Sequence, residues 1–400
     1  MRILCLVNVV PYPLYGGVQL RVFHLLRRIA RRHEVTIGCH AWDDETDFDN
    51  AAALTRKGLR TVPGLITDWS WKRHTLPAAG HLLHGYPPEL AQYQSPVLHD
   101  LVRSERFDIL QIEETLLTPY AKSLPPGAKT KTVLTFHNIH FVQGRRIAEI
   151  ESGGARRLWA RTNARLMRRY EPAIARRFHR SITASEPDRQ LLLSGAPGLR
   201  VDMIPNGVDT SEMALLQKIP NESKPAILFL GTLSYRPCID AAVQLVRAIL
   251  PLLRRRIPGI QVWIVGREAT PEVLALAGDG VFVESSVPDV RPYYERASVA
   301  VVPLRAGGGS RLKILEAMSL GRPVVSTTVG AEGIDVADGE NILLADDDAR
   351  FADAVVRAIS DDALRHTLVR NARRLVEVQY DWEAIAAAQL GIYDELLATA

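Results

Sequence analysis

Residues 307–316 of this 400-residue chain read GGGSRLKILE: three glycines, a hydroxyl, two cations and a carboxylate within ten positions. Glycines let an anion approach backbone N–H groups, and a helix amino terminus carries about half a positive charge. Behind Gly307, Gly308 and Gly309, Ser310 suits the N-cap of a helix expected from about Arg311 to Leu320, with Gly321 and Pro323 as its stop. Arg311 and Lys313 then stand at a helix end where a structural cap favours acids. Glu316 follows Lys313 by three residues on the same side of the helix. A diphosphate at the loop and a ribose beside Glu316 would use every one of these groups. The plainer alternative, a tight turn with a surface Lys–Glu pair, gives no reason for cations at the positive end.

Three more places could bear chemistry. Gly16 and Gly17 open a second expected helix and are candidate anion or sugar contacts, although any strand-to-helix turn can hold glycine. They form neither a GxGxxG fingerprint nor a GxxxxGK[ST] loop. His137 and Asn138 end the run TFHN, where a histidine could orient a hydroxyl or donate to developing charge; a packed, hydrogen-bonded histidine is the other reading. Glu113 and Glu114 end QIEE. Metal chemistry has little to stand on: His74, His81 and His84 lack companion ligands, and Asp346, Asp347 and Asp348 read as helix caps, so no essential metal is expected.

These residues need elements to hold them. Apolar runs at 3–10, 35–38, 107–112, 132–136 and 181–184 alternate with amphipathic stretches, and the order restarts at 226–230, 261–265, 280–284, 298–302 and 323–327. Hydrophobic strands alternating with helices imply α/β architecture, with parallel sheets covered on both faces. The polar, proline-bearing stretch near 205–224 separates the two series. The expected organisation is two doubly wound, Rossmann-like domains facing across a cleft, at 1–205 and 225–380, with a final helix at 381–400 crossing back to the first. Roughly 100–200 residues per domain agrees with that division. Ligands in such sheets lie at the carboxyl ends of strands, where the residues above fall.

Composition bounds the setting. The formal net charge of +4 favours anionic partners. The three cysteines, Cys5, Cys39 and Cys238, are scattered and fit a reducing cytoplasm as small apolar residues. No stretch approaches the roughly 20 apolar residues of a membrane span. The first apolar run stops at Pro11 without a cleavage-like site, so a strand is the better reading than a signal peptide. The arginine-rich segment Arg156–Arg180 carries Leu158, Thr162, Leu166, Tyr170, Ile174 and Phe178 as one expected apolar stripe. It could lean on anionic lipid or form a solvated face packed on a core. No RNA-binding signature or DNA-binding module appears, so nucleic acid is not an expected partner. The expected location is the cytoplasm, with peripheral contact at the inner face of a membrane as an option.

Taken together, the chain resembles the family 4 glycosyltransferases of the GT-B fold. PYPLYGGVQLRVFHLL is similar to that family's first strand end, double glycine and helix; TASEPDRQLL and IPNGVDT are similar to the close of its first domain. LFLGTLSYRPCIDA and ILEAMSLGRPVVST resemble the second domain's opening and its donor-site helix. The resemblance implies a retaining transfer of sugar from a nucleoside diphosphate to a hydroxyl acceptor, with no cofactor and a UDP-sugar favoured over a GDP-sugar. It implies His137 beside the transferred sugar and Arg311 and Lys313 on the departing diphosphate. Glu316 would bind the ribose, and backbone near Val287 the base. Gly17, Thr232, Arg236, Gly307, Gly308, Gly309 and Ser310 would complete the donor site. Gly16, Glu113 and Asn138 would lie on the acceptor side.

Two departures stand out. The family's Glu–x7–Glu pair has Gly308 at its first position here, so backbone amides of 307–310 are expected to replace it. After GTLS, Arg236 stands where a cation followed by glycine is usual. A nucleotide-sugar epimerase of the same fold is the alternative, and it would need no acceptor; a non-catalytic nucleic-acid binder, suggested by the basic charge alone, is a distant one.

Overall fold

Strands rich in valine, isoleucine and leucine are stable only when both faces are covered, and the burial of the first strand, exposed at Arg2 and buried from Ile3 to Val7, shows that pattern. The computed structural model describes residues 1–14, 16–42, 44–66, 80–81, 83, 85–91, 93–150, 153–216, 225–306 and 312–399. The chain forms two units, Met1–Pro205 with Trp382–Ala400, and Asn206–Asp381.

In the first unit the strands are β1 (Arg2–Val7), β2 (Glu34–Ala41), β3 (Arg60–Leu65), β4 (Ile109–Ile112), β5 (Lys131–Phe136), β6 (Arg180–Thr183) and β7 (Val201–Met203). They pair in parallel in the order β3-β2-β1-β4-β5-β6-β7. The helices are α1 (Gly17–Ile29), α2 (Asp44–Arg56), α3 (Pro96–Ser104), α4 (His140–Ile150), α5 (Gly154–Ala175) and α6 (Glu186–Gly195). Sequence order reverses between β1 and β4, where Ile3 pairs with both Val35 and Ile109. Connections leave the sheet in opposite directions there and open a crevice at the carboxyl ends.

The second unit repeats the plan. β8 (Ala226–Thr232), β9 (Gln261–Arg267), β10 (Val281–Ser285), β11 (Val299–Val302), β12 (Val324–Ser326) and β13 (Leu343–Leu344) lie in the order β10-β9-β8-β11-β12-β13. Its helices are α7 (Arg236–Gln244), α8 (Leu250–Arg254), α9 (Pro271–Leu274), α10 (Arg291–Arg296), α11 (Leu312–Ser319), α12 (Asp348–Ser360) and α13 (Asp362–Gln379). The reversal lies between β8 and β11, and the chain leaving β11 runs into the glycine segment. A core of Ile227, Phe229, Ile264, Val301, Ile314 and Met318 packs beneath.

Asp381 bridges to Val208 in the second unit, and the next residue opens α14 (Trp382–Ala398) in the first. Trp382 is buried and stacks on His24 of α1 with ring centroids 5.7 Å apart. Glu383 receives Arg28 at 3.0 Å and Arg31 at 2.7 Å.

The arginine-rich helix departs from expectation. It ends at Ala175, and its buried line runs through Ala164, Met167, Glu171 and Ile174. A row spaced every four residues drifts about 40° per step around a helix of 3.6 residues per turn. Leu158 therefore emerges 67% exposed, with Trp159 beside it at 46%. No helix among the described residues is long and apolar enough to cross a membrane.

Candidate functional site

The switch point of the second unit is built around α11. Lys313, on its first turn, turns its ammonium toward the carboxyl end of β8, donating to the Leu230 carbonyl and lying 5.0 Å from the centre of the Phe229 ring. The Tyr294 hydroxyl donates to the Lys313 carbonyl at 3.0 Å and approaches Glu316 Oε2 at 3.5 Å. Burial raises the Glu316 carboxyl, opposed by the Lys313 charge and the Tyr294 hydroxyl. A cation and a carboxylate are thus held together on one side of a helix that has no acid in its first turn. Such a helix end is electrostatically open to an anion. Gly307, Gly308, Gly309, Ser310 and Arg311 lie outside the described residues.

Around this helix the backbone is crowded. A Cβ on Gly266 would lie 1.7 Å from the Gly231 carbonyl oxygen, so β8 and β9 approach closely only because that side chain is absent. Just beyond β9 and β10, Glu268 and Ser286 hold positive φ of 53° and 59°. That region of backbone space is costly for residues other than glycine and clusters at functional sites. Val287 follows, half-buried against the core. Thr232 closes β8, and Arg236 opens α7 with its guanidinium 3.5 Å from Glu272.

The first unit gathers the other residues at its own reversal. Gly16 is the N-cap of α1 in extended conformation, and the helix it opens has neither a side-chain cap nor an acid in its first turn. His137 is buried, and its Nε2 lies 2.9 Å from Glu113 Oε2. Glu113 was expected on the acceptor side, but its carboxylate turns inward and is 2% exposed. Burial works against its charge, while His137 and Arg21 favour it, and the carboxyl is held below its ordinary range. Glu114 takes the outer position, receiving Asn8 Nδ2 at 2.9 Å, and burial pushes it up to about 7. Asn138 is half-buried beyond β5.

Two groups escaped the sequence reading. Glu171, buried on α5, accepts the His140 and Phe141 backbone N–H groups at 3.0 and 3.2 Å and so caps α4. It lies deep in an arginine-rich helix, and no local signal marks it. Asn8 was inside an apolar run; its place one residue past β1 at the reversal was the signal available.

Residues 15–212 match the family model described as Glycosyltransferase Family 4, and residues 224–361 match Glycosyl transferases group 1. The chain belongs to the family 4 glycosyltransferases. Among similar glycosyltransferases is phosphatidyl-myo-inositol mannosyltransferase of Mycolicibacterium smegmatis, 28% identical over 72% of this chain and 71% of that one. Glycogen synthase of Mycobacterium tuberculosis is 25% identical over 98% of this chain and 94% of its own length. In fold, sucrose-phosphate synthase of Thermosynechococcus elongatus superposes with a TM-score of 0.74 at 20% identity, each chain fully covered. Anabaena HepE in complex with UDP-glucose superposes with 0.69 at 15%, again over both whole chains. This glycosyltransferase therefore has the GT-B architecture of two parallel-sheet α/β units.

Proposed function

We propose that the enzyme moves a sugar from a nucleoside diphosphate donor to a hydroxyl acceptor with retention of anomeric configuration, without a metal, and with UDP favoured over GDP. The observation that carries this reading is the Lys313–Glu316 pair on α11 beside the carboxyl end of β8. Lys313 would meet the diphosphate and Glu316 the ribose, with Arg311 and the backbone of 307–310 alongside. The base would rest against the backbone at Val287, next to the strained Ser286. The C1–O bond breaks with its electron pair moving to the diphosphate, the acceptor oxygen bonds to C1 on the same face, and the acceptor proton passes to the departing phosphate oxygen. Positioning and stabilisation of charge on the leaving group carry the rate, with His137 beside the sugar. HepE structures hold UDP and UDP-glucose, which supports the donor class.

The acceptor side of this reading includes a lipid surface. Leu158 and Trp159 stand exposed on α5 among exposed Arg156, Arg161, Arg165, Arg168 and Arg169, a composition suited to the interface of an anionic bilayer.

The test is transfer from UDP-, GDP- and dTDP-linked sugars to a hydroxyl acceptor pool, with product configuration read by NMR and a chelator in parallel. Retained α-linkage from a UDP-α-sugar, undiminished by chelator, is expected. Inverted product, abolition by chelator, or a changed sugar with no acceptor consumed would overturn the respective part.

A further inference from the structure

Glu113 is a carboxylate placed where a leucine would pack at no electrostatic cost. Moving an ion out of water costs several kcal/mol after relaxation, so a buried charge with specific partners asks for a reason. Its Oε2 faces His137 Nε2 at 2.9 Å. Its Oε1 accepts from the Gln111 amide nitrogen and lies 3.7 Å from the Cys5 thiol. Gln111 has little freedom. An ionised carboxylate only accepts, so Gln111 must offer its nitrogen there, which also reaches Thr135 Oγ1 at 3.3 Å. Its oxygen then faces α14, where Gln389 Nε2 donates at 2.7 Å and the Tyr393 hydroxyl donates as well. Gln389 and Tyr393 lie one helical turn apart and bond to each other at 3.0 Å. Both are fully buried.

We infer that Glu113 is a positioning residue for His137, and that the C-terminal helix holds Glu113 in place through Gln389, Tyr393 and Gln111. The inference rests on the proposal that His137 acts beside the transferred sugar. Nε2 lies within ion-pair distance of Glu113 Oε2, both atoms are buried and neither has another hydrogen-bond partner among the described residues, so the carboxylate restrains the imidazole and would leave Nδ1 for a substrate hydroxyl. Charged and titratable groups facing Glu113 come from several elements. They are His137 after β5, Arg21 on α1, Cys5 on β1, Tyr393 on α14 and Glu114 next in the chain. Arg21 donates through Nη1 to the Ile204 and Pro205 carbonyls at 2.9 and 2.8 Å, and its charge favours the ionised Glu113 carboxylate.

The experiment compares wild type, Glu113→Gln, Tyr393→Phe and His137→Asn in the full-length enzyme, by steady-state transfer and by the 15N NMR resonances of the His137 imidazole at one fixed pH. Glu113→Gln keeps the shape and removes the charge. It is expected to lower kcat by about 10- to 100-fold with donor KM within about threefold, and to move the 15N resonance of His137 Nε2 away from its wild-type position. Tyr393→Phe removes no hydrogen bond to Glu113 or His137, only the hydroxyl that donates to the Gln111 oxygen, and should move the same resonance in the same direction by a smaller amount. An unmoved His137 resonance in Glu113→Gln, or in a well-folded Tyr393→Phe, overturns the positioning role. Full activity of His137→Asn would instead remove the proposed role of His137, and the NMR result would still decide whether Glu113 sets its state.

Discussion

Replacing Glu171 with glutamine gives a sharp test of the electrostatics around His137, because the carboxyl of Glu171 caps the helix that begins three residues later. Glu171 is fully buried, and burial pushes its carboxyl from an ordinary 4.5 up to about 8. The two backbone N–H groups of α4 and the Thr115 hydroxyl pull the other way without prevailing. The native protein therefore keeps a proton that the unfolded chain releases above about pH 4.5. By linkage, stability is fully present below that pH and falls as pH rises toward 8. At about 1.36 kcal/mol per pH unit the full difference is roughly 5 kcal/mol, an upper bound since relaxation and water entry reduce it; about 2–5 kcal/mol is the working expectation. Amide exchange at His140 and Phe141 between pH 5 and 8.5, with Glu171→Gln as reference, isolates this group from every other carboxylate. Wild-type protection should decline against the variant with a slope approaching tenfold per pH unit. Parallel curves, or a wild type that gains on the variant as pH rises, would refute the reasoning.

Three further outcomes follow from the described geometry. Lys313→Met keeps the stem and removes the charge beside β8; losing a charge-assisted contact of about 1.5–3 kcal/mol should cut transfer at saturating donor by roughly 10- to 150-fold. Gly266→Ala drives a Cβ to within 1.7 Å of the Gly231 oxygen, so urea unfolding of the second unit should show a loss of about 3 kcal/mol or more, and a neutral result would mean the strands are not so close. Leu158→Ser with Trp159→Ser should reduce sedimentation with anionic liposomes severalfold at low salt while transfer to a water-soluble acceptor is unchanged; equal sedimentation would remove the lipid-facing role of α5.

Legibility from sequence followed burial. Strands covered on both faces, such as β1, β8 and β11, announced themselves as unbroken apolar runs, because nothing polar is tolerated at either face. The edge strands β3, β7 and β13 did not, whereas β10, also at an edge, was readable as the run 280–284. β3 contains Pro63, which a central strand would reject and an edge strand accepts. β7 and β13 are three and two residues long. The pair Lys313 and Glu316, proposed to face the donor, was readable because one helix carries both. The partners of Glu113 were not, since Gln389 and Tyr393 meet Gln111 across separations of 278 and 282 residues. The apolar stripe of α5 went astray for a geometric reason, the mismatch between a spacing of four and a period of 3.6.

The first unit is discontinuous along the chain, and this bears on any attempt to cut the enzyme in two. A fragment ending at Pro205 would strand the Gln111 oxygen without its donors and bare the flank of α1 where Trp382 rests. Anyone expressing that half alone must graft residues 382–400 back through a short linker; without them the truncated product should aggregate instead of refolding.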